Sequence, residues 1–248
     1  MTSYPQISPQ NSRSDVSSAR PYAYFDYEDA LALRAMALEA GLDTASYLLA
    51  PEIATLLRYQ PDLYHQTLTD TLWNTGGRIN EVLSLTPESF FIDGPRPFVK
   101  MKTLKQRSRA KGRPRKDEVL YRVIPLTDPL YVRKMREYFQ TARLSRHQLI
   151  WPVKSDNTPR AWLTAAVERA KRDSVTFSID PITPRTFRHS FCMHLIQHAM
   201  PLKVVQAYAG HARIESTERY TRVFALDVGR QYGVQFSVPE ADYLLPDR

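Results

Sequence analysis

Three separate stretches of the chain carry arginine, histidine and tyrosine in patterns that could act together on a phosphate ester. Two arginines hold the non-bridging oxygens of a phosphodiester by bidentate hydrogen bonds, which lysine does less well. A tyrosine hydroxyl becomes a nucleophile toward phosphorus when a base or nearby positive charge favours its phenolate form. Fixed positive charge around the phosphate then supplies the stabilisation that metal ions give elsewhere. The candidate residues for this chemistry are Arg78, Arg185, Arg188, His211 and Tyr220.

Taken one at a time, these residues also have ordinary structural explanations. Arg78 and Glu81 lie three residues apart on a short predicted helix, a spacing typical of a surface ion pair. The two glycines in front of Arg78 favour another interpretation, because a glycine turn lets an anion approach the helix N-terminus. Tyr220 alone could be a core aromatic residue, and His211 alone a helix cap. Their combination is what predicts phosphoryl transfer.

The positive charge of the chain is concentrated in one segment, residues 100–116, which we call the basic tongue. The chain has 34 basic and 26 acidic residues, a net charge of +8. The nine basic residues of the tongue have no acidic residue among them, and without them the chain has 25 basic and 26 acidic residues. Such a run is either a solvated surface or a nucleic-acid contact. Its basic residues are Lys100, Lys102, Lys105, Arg107, Arg109, Lys111, Arg113, Arg115 and Lys116.

Several common signatures of enzymes are absent from the sequence. It has no dinucleotide-binding GxGxxG turn, no Walker-type phosphate loop, no HExxH and no GxSxG. His189, Cys192, His194 and His198 resemble a metal cluster, but one straight helix cannot close the tetrahedron of a structural zinc site. We therefore expect neither a cofactor nor a metal ion.

The elements that would position these residues are mainly helices. Prolines mark the starts and glycines the ends of several predicted helices. Two short apolar runs flank the basic tongue and are predicted to be the strands of a long hairpin. This pattern predicts an α+β fold, mainly helical, with a small antiparallel sheet and a long basic hairpin. Two predicted helices begin at Pro51 and Pro61, and the others span 78–85, 128–141, 160–172, 184–199, 201–208 and 213–223. The predicted strands span 98–101 and 119–124.

The amino-terminal part of the chain has a different composition. Residues 1–20 are rich in serine and have almost no apolar periodicity, which predicts a disordered lead-in. Residues 21–46 form a short helical extension, with Asp26 as the expected N-cap and Gly41 as the stop. A single cysteine, no apolar run long enough for a membrane span and no signal-like start indicate a protein of the cytoplasm.

The three stretches together resemble the tyrosine recombinases, the integrase-type family of DNA breaking and joining enzymes. The resemblance covers residues 47–224, and its boxes read TGGRINEVLSL, ITPRTFRHSFCMHLI and YAGHARIESTERYT. It implies that Arg78 and Arg188 are the two catalytic arginines, His211 the catalytic histidine and Tyr220 the nucleophile. The intervals are those of the family, with 23 residues from Arg188 to His211 and nine from His211 to Tyr220. Glu81 and His189 are then supporting residues.

The resemblance also implies a lysine in the hairpin that protonates the leaving oxygen. Lys102 and Thr103 follow the first strand and resemble the Lys-Thr pairs of the family, so Lys102 is the first candidate and Lys105 the second.

Position 185 departs from the family pattern, which often has histidine there. Arginine stays protonated in proteins, so Arg185 can donate hydrogen bonds to the phosphate but cannot accept a proton. The leading candidate for accepting the proton of Tyr220 is then His211.

As a family member, the protein is expected to act on double-stranded DNA at a specific site, through a 3′-phosphotyrosyl intermediate and without ATP. The family works as a homotetramer on paired sites, in some cases with accessory DNA-bending proteins. Residues 225–248 would be a C-terminal tail that contacts a neighbouring protomer. The overall likeness favours a resolvase of plasmid multimers. The alternatives are DNA inversion or integration, a topoisomerase-like enzyme, and a non-catalytic DNA-binding protein.

Overall fold

A computed structural model of the protein describes residues 27–42, 46–103 and 120–231, with side chains up to residue 226. Within these ranges helices predominate and the strands form one small sheet, which confirms the predicted α+β class. The helices are α1 (Tyr27–Glu39), α2 (Ala50–Arg58), α3 (Leu63–Thr75), α4 (Ile79–Leu83), α5 (Pro129–Thr141), α6 (Asn157–Arg172), α7 (Pro184–Gln197), α8 (Leu202–Ala209), α9 (Glu215–Glu218) and α10 (Thr221–Gln231).

The sheet is antiparallel and has the strand order β1 (Phe90–Phe91), β2 (Phe98–Lys102), β3 (Tyr121–Pro125). Strands β2 and β3 are the predicted hairpin arms. Strand β1 is missing from the prediction, because two residues are too few to show an alternating pattern. In the register of β2 and β3, Met101 lies opposite Arg122 on the buried face, whereas Lys102 lies opposite Tyr121 on the exposed face.

One hydrophobic core joins the helices and the inner face of the sheet. Helix α3 packs against α7 through the middle of the domain, where Leu68, Leu72 and Phe187 are almost completely buried. Thr183 caps α7 by accepting a hydrogen bond from the backbone N–H of Thr186. This cap and the buried face of α7 fix the positions of Arg185 and Arg188 relative to the rest of the domain.

Helix α1, from the predicted N-terminal extension, is anchored to the rest of the domain by a buried ion pair. Arg34 Nη1 donates to Glu52 Oε2 at 3.1 Å and to the carbonyl oxygen of Tyr47 at 3.2 Å. Glu52 also accepts hydrogen bonds from the backbone N–H groups of Leu49 and Ser178. The helix ends at Glu39, and the predicted stop residue Gly41 follows in the left-handed conformation with a φ of +65°.

The prediction of a single helix over residues 213–223 is wrong. Helix α9 ends at Glu218 and α10 begins at Thr221, which leaves Tyr220 in the turn between them. The backbone N–H of Tyr220 donates to the carbonyl of Thr217, and the hydroxyl of Thr221 donates to the carbonyl of Glu218. These local bonds replace the helical pattern at the turn. Helix α10 then crosses the predicted boundary at residue 224 and continues to Gln231.

Some predictions fall on parts of the chain outside the described residues. These are the lead-in at 1–20, the cap at Asp26, the tip of the basic tongue from Lys105 to Lys116, and the tail from 232 to 248. No helix in the described ranges combines the length and apolar character that a membrane crossing needs.

The anchor of α1 predicts a measurable loss of stability. Replacing Arg34 by alanine leaves the Glu52 carboxylate buried with fewer partners, and we expect unfolding in urea to become easier by about 2–3 kcal/mol. The matched control is Arg133→Ala, because Arg133 pairs with Glu137 at 3.8 Å with both side chains about two-thirds exposed. Its expected effect is below about 0.5 kcal/mol. Equal effects for the two variants would contradict the anchor.

Candidate active site

The three sequence boxes meet at one cavity of about 900 Å³. Seven arginines line it, and no aspartate or glutamate is among its described lining residues. Such a cavity attracts anions, because fixed positive charges at low dielectric reinforce one another's field. The predicted residues on its wall are Arg78, Arg185, Arg188, His189, His211 and Tyr220, and the residues that the sequence analysis did not single out are Arg122, Arg160, Arg213 and Arg219.

Glu81 fixes the position of Arg78, the first arginine of the predicted site. Its carboxylate accepts from the backbone N–H of Arg78 at 2.9 Å and from the guanidinium of Arg78 at 3.0 Å. The side chain of Glu81 is completely buried. Burial raises the pKa of Glu81, but the hydrogen bonds and charges of Arg122 and Arg78 outweigh it, so the pKa lies below its ordinary value. Glu81 is thus an anion that orients Arg78.

Arg122 is the best connected of the cavity arginines that the sequence analysis did not single out. Its Nη2 donates to Glu81 Oε2 at 2.6 Å, its Nε to the carbonyl of Tyr208 at 2.9 Å and its Nη1 to the hydroxyl of Thr103 at 3.2 Å. It therefore ties α4, the end of α8 and the end of β2 together. One signal was present in the sequence, since an arginine stood at an inward-facing position of a predicted strand. Gly210 leaves room for it, as a Cβ there would lie 3.1 Å from Arg122 Cδ.

Arg188 is buried beneath the cavity and has a hydrogen-bond donor to spare. Its Nη1 donates to the carbonyl oxygen of Gly76 at 2.9 Å, whereas its buried Nη2 has no hydrogen-bond partner within the described residues. Burial and the charge of Arg78 lower the pKa of Arg188 to about 10, so it remains protonated at neutral pH. The Gly-Gly turn serves this contact. Gly76 has a φ of +57°, and a Cβ at this position would lie 2.3 Å from the ring of Phe191.

Tyr220 is packed into the wall of the cavity, and only 2% of the residue is exposed. Its hydroxyl oxygen lies 2.7 Å from Nδ1 of His189. Burial and the neighbouring Cys192 raise the pKa of Tyr220, while Arg188 and Arg219 act in the opposite direction. The tyrosine is therefore neutral at rest, and its hydroxyl lies in the positive field that an attacking phenolate needs.

The two histidines of the site have different partners. His211, which follows the αL residue Gly210, places Nδ1 2.9 Å from the hydroxyl of Thr217. Its ring is roughly parallel to that of Tyr220, with 6.4 Å between the ring centres. Burial and the charges of Arg188 and Arg78 lower the pKa of His211 to about 3. Both histidines thus lie near Tyr220, but it is His189 whose ring nitrogen lies within hydrogen-bond distance of the hydroxyl.

Arg185 is exposed at the mouth of the cavity and reaches back to the same histidine. Its Nε donates to Nε2 of His189 at 3.3 Å. Arg185 stands at the position where the resembled family often has a histidine, and through His189 it links the mouth of the cavity to the buried Tyr220.

The structure does not bring the predicted lysine into the cavity wall. Lys102 is exposed on the outer face of β2, but its cross-strand neighbour Tyr121 and its chain neighbour Thr103 both line the cavity. Lys102 therefore lies at the rim. Lys100, on the same face, holds Nζ 4.5 Å from the centre of the Tyr121 ring. Lys105 and the other basic residues of the tongue are outside the described residues.

The histidines near the end of α7, which the sequence analysis considered as metal ligands, make aromatic contacts in the structure. The ring of His194 packs at a tilt against Trp73, 4.9 Å away, and against His198, 4.3 Å away, measured between ring centres. In the described ranges, no group of three or more histidine, cysteine, aspartate and glutamate side chains is placed to hold a metal ion.

Comparison with known proteins agrees with this geometry. The chain matches the phage integrase family over residues 47–226. It is 50% identical to a probable site-specific recombinase in the afa region of Escherichia coli, over 92% of this chain and 90% of that protein. It is 45% identical to a resolvase of Escherichia coli, over 88% of each chain.

A solved structure shares the fold at low sequence identity. The site-specific recombinase XerH, bound to its difH substrate before cleavage, superposes with a TM-score of 0.53 and 19% identity. The match covers 77% of this chain and 53% of the XerH chain. The family match spans most of the chain and contains all three boxes, so the chain belongs to the phage integrase family, the tyrosine recombinases that its residue pattern resembles.

Proposed function

We propose that this protein is a site-specific DNA recombinase that cuts and rejoins DNA through Tyr220 and resolves plasmid multimers. The observation that carries the proposal is the shared cavity, in which the tyrosine from the α9–α10 turn meets arginines from α4 and α7. A phosphodiester is the anion that suits this cavity, because it offers two charged oxygens to guanidinium groups and one phosphorus to a hydroxyl.

In the reaction, the oxygen of Tyr220 forms a bond to the scissile phosphorus as the bond from phosphorus to the 5′ oxygen breaks. The product is a 3′-phosphotyrosyl link and a free 5′-hydroxyl. Arg78 and Arg188 hold the non-bridging oxygens, with the spare Nη2 donor of Arg188 as one contact, and Arg185 adds a third cation. Their charge stabilises the five-coordinate transition state. The reverse reaction rejoins DNA without ATP.

A lysine of the hairpin supplies the proton to the leaving 5′ oxygen. Lys102 is the proposed donor because it lies at the cavity rim, one residue from Thr103 and across the strand from Tyr121. Its side chain is exposed and long enough to extend over DNA in the cavity. The proton relieves the negative charge that would otherwise build on the departing oxygen.

DNA binding is proposed to depend on the basic tongue. XerH, which shares the fold, is bound to DNA in its structure, and the tongue of this chain supplies nine cations for phosphate contacts. Such contacts give affinity that falls steeply with salt, whereas the choice of site needs contacts with base edges.

The names of relatives support the proposed cellular role. The name resolvase of one close relative favours separation of plasmid multimers over inversion or integration. We propose a homotetramer on two DNA sites, assisted by DNA-bending proteins, with residues 225–248 contacting a neighbouring protomer. Because the substrate is DNA, the site of action is the bacterial cytoplasm.

The first test is formation of a covalent complex with nicked suicide duplexes that cover the DNA flanking the gene. Loss of the short fragment beside the nick prevents rejoining, so the protein should accumulate as a denaturation-resistant adduct. Tyr220→Phe should give no adduct, because it removes the attacking oxygen and little else. Gel electrophoresis in denaturant measures the result.

The matched control is Tyr208→Phe, which changes a tyrosine of the neighbouring helix α8 that offers Arg122 only its backbone carbonyl. This variant should form adduct as the unaltered protein does. An adduct that survives in Tyr220→Phe would contradict the assignment of the nucleophile. Specific DNA binding without any adduct would instead support the non-catalytic alternative.

A plasmid dimer carrying two copies of the identified site separates recombination from topoisomerase activity. We expect monomer circles as the product and no relaxation of a supercoiled plasmid that lacks the site. Agarose gels distinguish the forms. Relaxation of the plasmid without a site would favour the topoisomerase-like alternative.

The leaving-group role of Lys102 predicts a chemical rescue. Lys102→Ala should slow adduct formation about 100-fold or more on ordinary DNA, because the 5′ oxygen then leaves without a proton. On a duplex with sulfur in place of that bridging oxygen the rate should recover, since a thiolate leaves without protonation. Lys105→Ala is the comparison. If Lys105→Ala shows the rescued defect and Lys102→Ala does not, the general acid is Lys105.

A further inference from the structure

The hydrogen bonds of His189 determine which of its ring nitrogens carries the proton. Arg185 Nε is 3.3 Å from Nε2 of His189, and arginine can only donate hydrogen bonds. Nε2 must therefore present its lone pair. A neutral imidazole has one N–H group, which then lies on Nδ1. The atom within 2.7 Å of that Nδ1 is the hydroxyl oxygen of Tyr220.

The charge state of His189 agrees with this arrangement. Burial and the positive charges of Arg185, Arg219 and Arg188 lower the pKa of His189 to about 4, so the ring is neutral at physiological pH. A ring with so low an affinity for protons is a poor base, while its N–H remains an effective donor.

From this geometry we infer that His189 donates a hydrogen bond from Nδ1 to the oxygen of Tyr220, holding and stabilising the nucleophile instead of accepting its proton. The inference rests on the proposed function, since it assigns His189 a part in activating Tyr220. When the oxygen attacks phosphorus, negative charge on it is stabilised by the Nδ1–H group and by the nearby arginines. The hydroxyl proton passes to water in the cavity.

Other groups near the hydroxyl do not offer a better base. Cys192 shares a hydrogen bond with Tyr220, but burial raises the pKa of its thiol to about 11, so it is no thiolate at neutral pH. His211 has Nδ1 engaged with Thr217, and its pKa is lowered to about 3. The groups around Tyr220 are thus arranged to stabilise its phenolate, and none of those discussed is a strong proton acceptor.

Two substitutions distinguish a donor from a base. His189→Asn keeps an amide N–H close to the position of Nδ1 but has no basic nitrogen, whereas His189→Leu removes both functions. We expect the rate of adduct formation at saturating suicide DNA to fall about 100-fold in His189→Leu, as for loss of one donor to a developing anion. If His189 is a donor, the rate in His189→Asn should stay within about tenfold of that of the unaltered protein. If His189 were instead a general base, both variants should lose about 10²–10⁴-fold in rate.

The outcomes separate this inference from the proposed function. If the unaltered protein forms no adduct, the proposed function is wrong. If it forms adduct and His189→Asn is as slow as His189→Leu, the donor role is overturned and the ring acts as a base. A His189→Leu protein that reacts at the original rate would show that His189 has no part in activation. Thermal unfolding of both variants checks that they fold.

Nuclear magnetic resonance of the DNA-free protein gives a readout that needs no activity. With 15N-labelled histidine at pH 7, the signals of His189, assigned by their loss in His189→Asn, should show a protonated Nδ1 and an unprotonated Nε2. In Arg185→Leu the constraint on Nε2 is gone, and the other tautomer should appear. A proton on Nε2 in the unaltered protein would overturn the inference.

Discussion

The arrangement of the cavity depends on the ion pairs that the buried carboxylate of Glu81 forms with Arg78 and Arg122. Seven arginines converge on a space from which acidic side chains are absent among the described lining residues, and like charges at such distances repel one another. Glu81 lies directly behind them and binds both Arg78 and Arg122. Its negative charge offsets part of the repulsion and fixes the direction of the guanidinium groups. A DNA phosphate on the open side would complete the neutralisation.

The same network links the cavity wall to the hairpin and to the end of α8. Arg122 connects Glu81 to Thr103, the last described residue of the first hairpin arm, and to the carbonyl of Tyr208, close to His211. The end of strand β2, which carries Lys102, is therefore linked by hydrogen bonds to Arg122 and Arg78 of the cavity wall. This explains why an arginine stands on the inner face of β3, where the neighbouring inward positions are apolar.

The sequence was enough to predict the fold class and most of the helices, because capping residues and apolar spacing act locally. It also predicted that residues of the three boxes meet, and the cavity brings those residues together, whereas the predicted Lys102 lies at the rim. The contacts between distant elements were not predictable in the same way. The partners of Arg122 are 19, 41 and 86 residues away in the chain, and the turn at Tyr220 forms where a continuous helix fits the local pattern. The choice of His189 over His211 as the partner of Tyr220 likewise depends on how α7 packs beside that turn.

The central claim is that the oxygen of Tyr220 becomes bonded to a DNA phosphate inside the arginine-lined cavity. The most direct measurement is mass spectrometry of the peptide that carries the nucleotide after the trapped protein–DNA complex is digested with protease and nuclease. The account predicts one modified peptide, containing Tyr220, with the added mass on the tyrosine side chain through a 3′ phosphate. A nucleotide on any other residue, or a link through a 5′ phosphate, would contradict it.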